Sequence, residues 1–166
     1  MQRRTFIAAS TAASVAFVLG LDETPVTGRV SLADVDRISG KIGLLAAHFT
    51  SVGGGALYPV ATSYLHRLHE TADGCTYGPR VEQSLHAAIS DLCSSAGWAA
   101  LDAGEPGQAR VLYADALQSA FLAGDTRGQA RAWSNLAMQA RTDGRLRESL
   151  RINRAALESR QPGRTR

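Results

Sequence analysis

The sequence is poor in aromatic residues, and almost all of its basic residues are of one type. Aromatic residues make up 6% of the 166 residues, and only Lys41 among the 18 basic residues is not an arginine. Hydrophobic residues reach 45%, with abundant alanine, which is enough to bury a core. Small and aliphatic side chains suit closely packed helices better than a sheet. We therefore predict an all-α protein and exclude a disordered tail.

Cysteine is also scarce, which bears on both disulfides and metal binding. Cys75 and Cys93 are the two cysteines, without CxxC spacing, so they form no disulfide framework and require no oxidising compartment. We expect two buried, reduced thiols. His66, His69 and His86 could join them in a zinc site on two helices. Because neither CxxC nor HExxH spacing is present, we expect exposed or satisfied histidines, no metal and no cofactor.

Sequence patterns of common catalytic sites are missing as well. No serine lies in a GxSxG elbow, and the glycines at 53–55 lack the lysine and the serine or threonine of a phosphate-binding loop. We therefore predict a protein that is not an enzyme and has no catalytic residues.

The chain opens on an apolar stretch that is marginal for a membrane span. No charge occurs over the 17 residues from Thr5 to Leu21, whereas a span needs about 20 strongly apolar residues. Arg3, Arg4 and Phe6-Ile7 resemble the start of a twin-arginine export signal. Its nearest cleavage candidate, Ser14-Val15-Ala16, would leave apolar residues on the mature end.

We interpret residues 1–30 as an apolar arm and linker that joins a missing domain to the rest of the chain. The linker is indicated by Thr24-Pro25 and Thr27-Gly28. This interpretation predicts a cytoplasmic protein. Export through the twin-arginine route and anchoring in a membrane are the alternatives.

Ser31 and Asp34 form a pair that is typical of the start of a helix. Apolar residues then recur every three or four positions, which predicts one helix over 31–52 with a narrow apolar seam: Val35, Ile38, Ile42, Leu45, Phe49 and Val52. The seam favours packing on a neighbouring helix, with a homodimer through 31–52 as the alternative. The glycines at 53–55 end this helix, and further helices are predicted over 56–72 and from Pro79 to about Ala103.

Two segments further along the chain repeat each other. "GWAALDAGEPGQARVLYADAL" (97–117) and "AMQARTDGRLRESLRINRAAL" (137–157) can be superimposed at a shift of 40 residues. Ala100 then falls on Ala140 and Gly104 on Gly144, and each segment is a helix, a glycine turn and a second helix. One such hairpin cannot bury its faces alone, so neighbouring hairpins must stack.

The repeat resembles the tetratricopeptide repeat in the spacing of its small, aromatic and turn residues. The matching residues are Gly97, Ala100, Gly104, Ala109, Tyr113 and Ala116 in the first unit and Trp133, Leu136, Ala137, Ala140 and Gly144 in the second. The resemblance implies a tetratricopeptide-like α-solenoid of antiparallel helix pairs over 31–160, clearest at 90–123 and 130–160, before a basic tail at 161–166.

The repeat also departs from that pattern. The period is 40 residues rather than about 34, with the excess around Ala123 to Gly128. Ser149 and Asn153 occupy places where the pattern has an alanine and an aromatic residue.

A narrower resemblance follows from the order of the segments. "RRTFIAAS", a linker, a helix, "GGGALYPVATSYL" and "SAGWAALDAG" follow one another as in the C-terminal sensor part of actinobacterial helix-turn-helix regulators of the xenobiotic-response-element type. The DNA-binding domain of those regulators is missing from this chain. The resemblance implies regulation of transcription through a helical surface that binds a ligand or a peptide or protein partner. A tetratricopeptide-like adaptor protein that is exported by the twin-arginine route or tethered to a membrane is the alternative function.

In tetratricopeptide arrays the first helix of each pair lines a concave groove for peptides. The corresponding residues here are Asp91, Ser94, Trp98, Leu101, Asp102, Arg131, Ser134, Asn135, Met138 and Arg141. The amide of Asn135 could bind a peptide backbone, and Arg131 and Arg141 could bind carboxylates. Trp98 and Met138 have an alternative interpretation as core residues between the repeats.

Positive charge is concentrated at the end of the chain. Residues 127–166 carry 10 basic and 3 acidic side chains, a net charge of +7. Arg147, Arg151 and Arg154 share one helical face, which is typical of a solvated face or of a surface for an acidic partner. Because no aromatic residues are interleaved to stack on bases, we expect no direct nucleic-acid binding by this segment.

Overall fold

The computed structural model describes residues 13–159 and is mostly helical. The prediction of an all-α protein is confirmed. The helices are α1 (13–18), α2 (Leu32–Val52), α3 (Gly54–Gly74), α4 (Pro79–Asp102), α5 (Pro106–Ala123), α6 (Thr126–Thr142) and α7 (Leu146–Ser159). Two short strands, β1 (Gly28–Arg29) and β2 (Cys75–Thr76), pair in parallel. None of the helices described is long and apolar enough to cross a membrane.

Helix α2 begins at the predicted cap. The Ser31 hydroxyl accepts a hydrogen bond from the Asp34 backbone N–H at 3.3 Å, and the Asp34 carboxylate accepts one from the Ser31 backbone N–H at 2.8 Å. The seam of α2 faces the chain's own core, with these residues buried: Val35, Ile38, Ile42 and Leu45. Because α2 packs on α3 and α4, a dimer through this seam would have to open the core.

Replacing Ser31 with alanine is expected to lower the free energy of unfolding by about 1 kcal/mol, because α2 loses its cap. Hydrogen bonds from Ser31, and the charge of Arg37, hold the pKa of the Asp34 carboxyl below its ordinary value of 3.8. A carboxyl whose pKa is lowered by folding stabilises the protein at neutral pH, and that effect is lost as the pH falls from about 4 through the lowered pKa of the folded state. The stability difference between wild type and Ser31→Ala should therefore narrow in acid.

Urea denaturation at neutral and acidic pH measures this difference. Ser39→Ala is the matched control, because Ser39 is exposed in the middle of the same helix and its replacement should change stability by less than about 0.5 kcal/mol. A Ser31→Ala effect that stayed constant from neutral pH into the acid range would contradict the link to Asp34.

The part of the N-terminal arm that the structure describes is built into the helical domain. Thr24 lies at the centre of the contact: its carbonyl oxygen accepts a hydrogen bond from Arg67 Nε at 2.8 Å, and its hydroxyl lies 3.2 Å from that of Tyr64. The Pro25 carbonyl accepts a hydrogen bond from the Thr71 hydroxyl at 2.7 Å. The apolar residues of this segment that join the core are Val15, Leu19, Leu21 and Val30.

The arginine pair Arg3 and Arg4 with Phe6-Ile7, and the basic tail at 161–166, lie outside the described residues. The cleavage candidate Ser14-Val15-Ala16 lies in α1, where Val15 is buried.

Three turns of the same type join the last four helices. Gly104, Gly124 and Gly144 have φ angles of 79°, 66° and 75°, a conformation in which glycine is strongly favoured. In each turn the next residue donates a backbone hydrogen bond to the carbonyl five residues earlier, at 2.8 to 2.9 Å, as in a Schellman motif. Since the glycines are 20 residues apart, these turns produce the 40-residue repeat.

The excess over the tetratricopeptide period is taken up by helix rather than by a loop. Helix α5 has 18 residues and continues to Ala123, and α6 begins at Thr126 with 17 residues. The turn at Gly124 is as short as the other two. The additional residues around Ala123 to Gly128 therefore lengthen the helices and leave the type of turn between them unchanged.

Each helix from α2 to α7 packs against the next helix along the chain, and α4 also contacts α2 and α6. Gly97 allows the closest of these approaches, because a Cβ atom at this position would overlap the buried ring of Tyr113. Gly54 and Gly55 serve a similar purpose, since a Cβ on Gly55 would lie 3.0 Å from the Asp102 carbonyl oxygen. These glycines therefore act in packing.

Candidate partner-binding site

The ten residues predicted to line a concave surface lie on α4 and α6, which contact each other. Ser94 and Asn135 are buried, at 3% and 8% exposure, and Leu101 is half-buried. The others reach the surface at least partly: Asp91, Trp98, Asp102, Arg131, Ser134, Met138 and Arg141. Trp98 is 48% exposed, so its alternative interpretation as a core residue is wrong.

Two of these residues have surroundings that the sequence did not indicate. Arg131 already has a carboxylate partner, since its Nη2 donates to Asp91 Oδ1 in an ion pair between α6 and α4. The amide of Asn135 lies below the surface, and its Nδ2 has no hydrogen-bond partner among the described residues. Arg141, the second predicted cation, forms no ion pair within residues 13–159.

A continuous groove runs along the other side of α6, between α6 and α7. It has two stretches of about 660 Å³ and 530 Å³ that meet at Ser134 and Asn153. Helix α6 contributes Ser134, Met138 and Arg141 from the predicted set, and Trp133 lines the far end. The remaining lining residues are Thr126, Gln129, Ala130, Ala137, Leu146, Ser149, Leu150, Ala156, Leu157 and Ser159.

Helix α7 presents an apolar stripe to this groove. Leu146, Leu150 and Leu157 are 60%, 70% and 65% exposed, and Asn153 lies between them on the same face. Their spacing of three to four residues places them in one row along the helix. Sequence reasoning missed these leucines because it followed the first helix of each pair. The leucine spacing, read by itself, could have found them.

The corresponding face of the preceding hairpin is covered in part, whereas Leu146 and Leu150 correspond to Pro106 and Arg110, which are exposed. At the shift of 40 residues, Asn153 and Ala156 correspond to Tyr113 and Ala116, which are fully buried. Helix α6 packs against both helices of that first hairpin, α4 and α5. Since no further helix of the described chain packs on the second hairpin in this way, its groove stays open.

A row of arginines borders the leucine stripe. With 3.6 residues per turn, Arg147, Arg151 and Arg154 fall on one edge of α7 beside the leucines. All three are exposed, and none forms an ion pair within residues 13–159. Glu158 is the acidic residue on this edge among the described positions of α7. The rim of the groove is therefore strongly basic.

The histidines and cysteines do not gather into a site. Within the described part of the chain, no three His, Cys, Asp or Glu side chains lie close enough to hold a metal ion. His66 Nε2 lies 3.5 Å from Glu70 Oε1 on the surface of α3. Both cysteines are free thiols.

Thiol labelling of the native protein should distinguish the two cysteines. Cys93 is fully buried in α4, and burial raises the pKa of its thiol to about 12. Cys75 in β2 is half-buried, and burial raises the pKa of its thiol less strongly. We expect iodoacetamide to modify Cys75 at least about tenfold faster than Cys93, and both at similar rates in denaturant. Peptide mapping by mass spectrometry measures both rates, and equal labelling of the native protein would contradict the structure.

The fold and the groove define an all-α protein of successive helical hairpins whose last described hairpin has an open face. No protein-family model matches the chain, and neither a curated protein nor a solved structure matches it. The likeness to tetratricopeptide proteins and to helix-turn-helix regulators therefore rests on the sequence pattern.

Proposed function

We propose that this chain is a non-enzymatic helical-repeat domain of tetratricopeptide type that binds a protein or peptide partner. In this proposal it is the regulatory part of a transcription regulator, and DNA binding belongs to another segment or chain. The observation that carries the proposal is the open groove on the hairpin of α6 and α7. On the hairpin before it, the positions that correspond to Asn153 and Ala156 are buried.

The dimensions of the groove favour a protein partner. Helix α7 has 14 residues, which corresponds to about 21 Å at 1.5 Å per residue. Lining residues are found along that whole length, from Leu146 to Ser159. An elongated apolar surface with a polar rim is typical of sites that bind a peptide or a helix.

Photo-crosslinking in cells that naturally produce the chain tests this function. A benzophenone amino acid is placed at Leu150 in the groove, at Trp98 on the surface of α4, or at Val111 on α5 as a control. These three side chains are 70%, 48% and 53% exposed. We expect crosslinks to a protein from Leu150 or Trp98 and not from Val111. Absence of a crosslinked protein at both test positions would overturn the function.

The regulatory half of the proposal has its own test. The DNA immediately upstream of the Met1 codon is read in frame, and we expect it or a neighbouring gene to encode a helix-turn-helix domain. The purified chain should give no complex in a gel-shift assay. A complex that weakens steeply with salt would mean that this segment itself binds DNA.

A further inference from the structure

We infer that the groove between α6 and α7 takes an acidic amphipathic helix of a partner protein. This inference rests on the proposed function and specifies its partner. The leucine stripe of α7 would contact the apolar face of that helix. The arginines at the rim of the groove would pair with carboxylates on its flanks.

The protein's own packing indicates that the occupant is a helix. The two hairpins lie 40 residues apart in the sequence and have the same type of turn. On the first hairpin, α4 and α5 receive helix α6. The second hairpin offers α6 and α7 in the same order, with a groove that follows the length of α7. A helix therefore fits the part of this surface around Asn153 and Ala156 in the way that α6 fits the preceding hairpin.

Charge complementarity indicates that the occupant is acidic. Cations lie on both sides of the groove, with Arg141 in its lining on α6 and Arg147, Arg151 and Arg154 along the edge of α7. None of these four arginines has an ion pair within the described chain. Among residues 13–159, no acidic side chain lines either stretch of the groove. Complementary potentials of this kind select a partner and speed its association.

A second copy of the chain fits the groove less well. In an antiparallel pair of identical helices, the same edge of each helix faces its counterpart. An antiparallel symmetric dimer through the leucine stripe would therefore place the edge with Arg147, Arg151 and Arg154 beside the same edge of the other copy. Like charges in such contacts are unfavourable. An acidic amphipathic helix would instead contact the leucines with its apolar face and pair its carboxylates with the arginines.

Two synthetic peptides test the inference with the full chain. Both are about as long as α7 and carry leucines every three or four residues, one with glutamates on the flanks and the other with lysines at the same positions. Fluorescence anisotropy of the labelled peptides measures their affinities. We expect the glutamate peptide to bind at least about tenfold more tightly than the lysine peptide, and the difference to shrink at high salt. Equal affinities would overturn the inference.

Matched variants locate the binding surface. Leu150→Asp should lower the affinity for the glutamate peptide at least about tenfold. Val111→Asp changes an exposed position of α5 outside the groove and should leave that affinity unchanged. Arg151→Glu should weaken binding of the glutamate peptide and strengthen binding of the lysine peptide. It therefore keeps the test valid if circular dichroism shows that Leu150→Asp fails to fold. Affinity that is unchanged in both groove variants would overturn the inference.

Three outcomes separate this inference from the proposed function. A dimer in sedimentation velocity that Leu150→Asp abolishes would make a second copy the occupant and overturn the choice of partner. Crosslinking from the Trp98 position, together with failure of the glutamate peptide, would overturn this inference and leave the proposed function standing. Absence of crosslinks from both test positions would overturn the function itself.

Discussion

Replacing Leu21 with alanine is expected to lower the free energy of unfolding by about 2–5 kcal/mol, the range for removing a large buried side chain. Leu21 is 3% exposed and forms the short 3-10 turn Leu21–Glu23 that follows α1. Together with Tyr64 and Val60 of α3 it lies at the contact between the arm and the helices. Its truncation leaves a cavity in the core, although Leu21 belongs to the segment that the sequence presented as an arm.

Leu44→Ala is the control for this prediction, because Leu44 is 54% exposed on α2 and its truncation should cost less than about 1 kcal/mol. Denaturant titration followed by circular dichroism measures both variants. If Leu21→Ala were as mild as Leu44→Ala, the arm would not be docked on α3 in solution.

Replacing Gly97 with alanine is expected to destabilise the protein by about 1–3 kcal/mol through overpacking. A Cβ atom at this position would overlap the ring of Tyr113, which is itself fully buried. In the middle of a helix, alanine would otherwise be favoured over glycine by about 1 kcal/mol. The overlap therefore has to outweigh that preference, and the sign of the measured change decides which effect is larger.

Gly43→Ala is the same chemical change, but it is expected to stabilise the protein. A Cβ on Gly43 of α2 would meet nothing within 4 Å, so this variant should gain about 0.4–1 kcal/mol. Combining Gly97→Ala with Tyr113→Leu should cost less than the sum of the two single changes, because the smaller side chain makes room for the methyl group. A stabilising Gly97→Ala, or an additive double variant, would show that the two helices are not in this close contact.

Features that depend on neighbours along the chain were predictable. The cap at Ser31 and Asp34 and the three-to-four spacing of apolar residues placed α2 correctly. Gly53 ends that helix with a φ of 98°, as the glycine run predicted. The shift of 40 residues predicted matching turns at Gly104 and Gly144, which adopt the same conformation. Each of these features is set by backbone geometry within a few residues, so the sequence pattern determines it.

The candidate site was only partly predictable. Sequence reasoning identified Ser134, Met138 and Arg141, which line the groove, and Trp98, which is exposed. It missed the leucines of α7 and assigned a surface role to Asn135, which is buried. A heptad or repeat position fixes the direction of a side chain from its helix, but exposure depends on whether another helix lies in that direction.

The sequence by itself determined the all-α character, the helix boundaries near their caps, the glycine turns and the excess of arginine in the last quarter. The tertiary structure alone decided that residues 13–30 dock on α3 and that Arg131 pairs with Asp91. It also decided that two corresponding hairpins differ, with Tyr113 covered and Asn153 open. The physical reason is that turns and caps are local hydrogen-bonding choices, whereas burial and pairing depend on which distant segments meet in space.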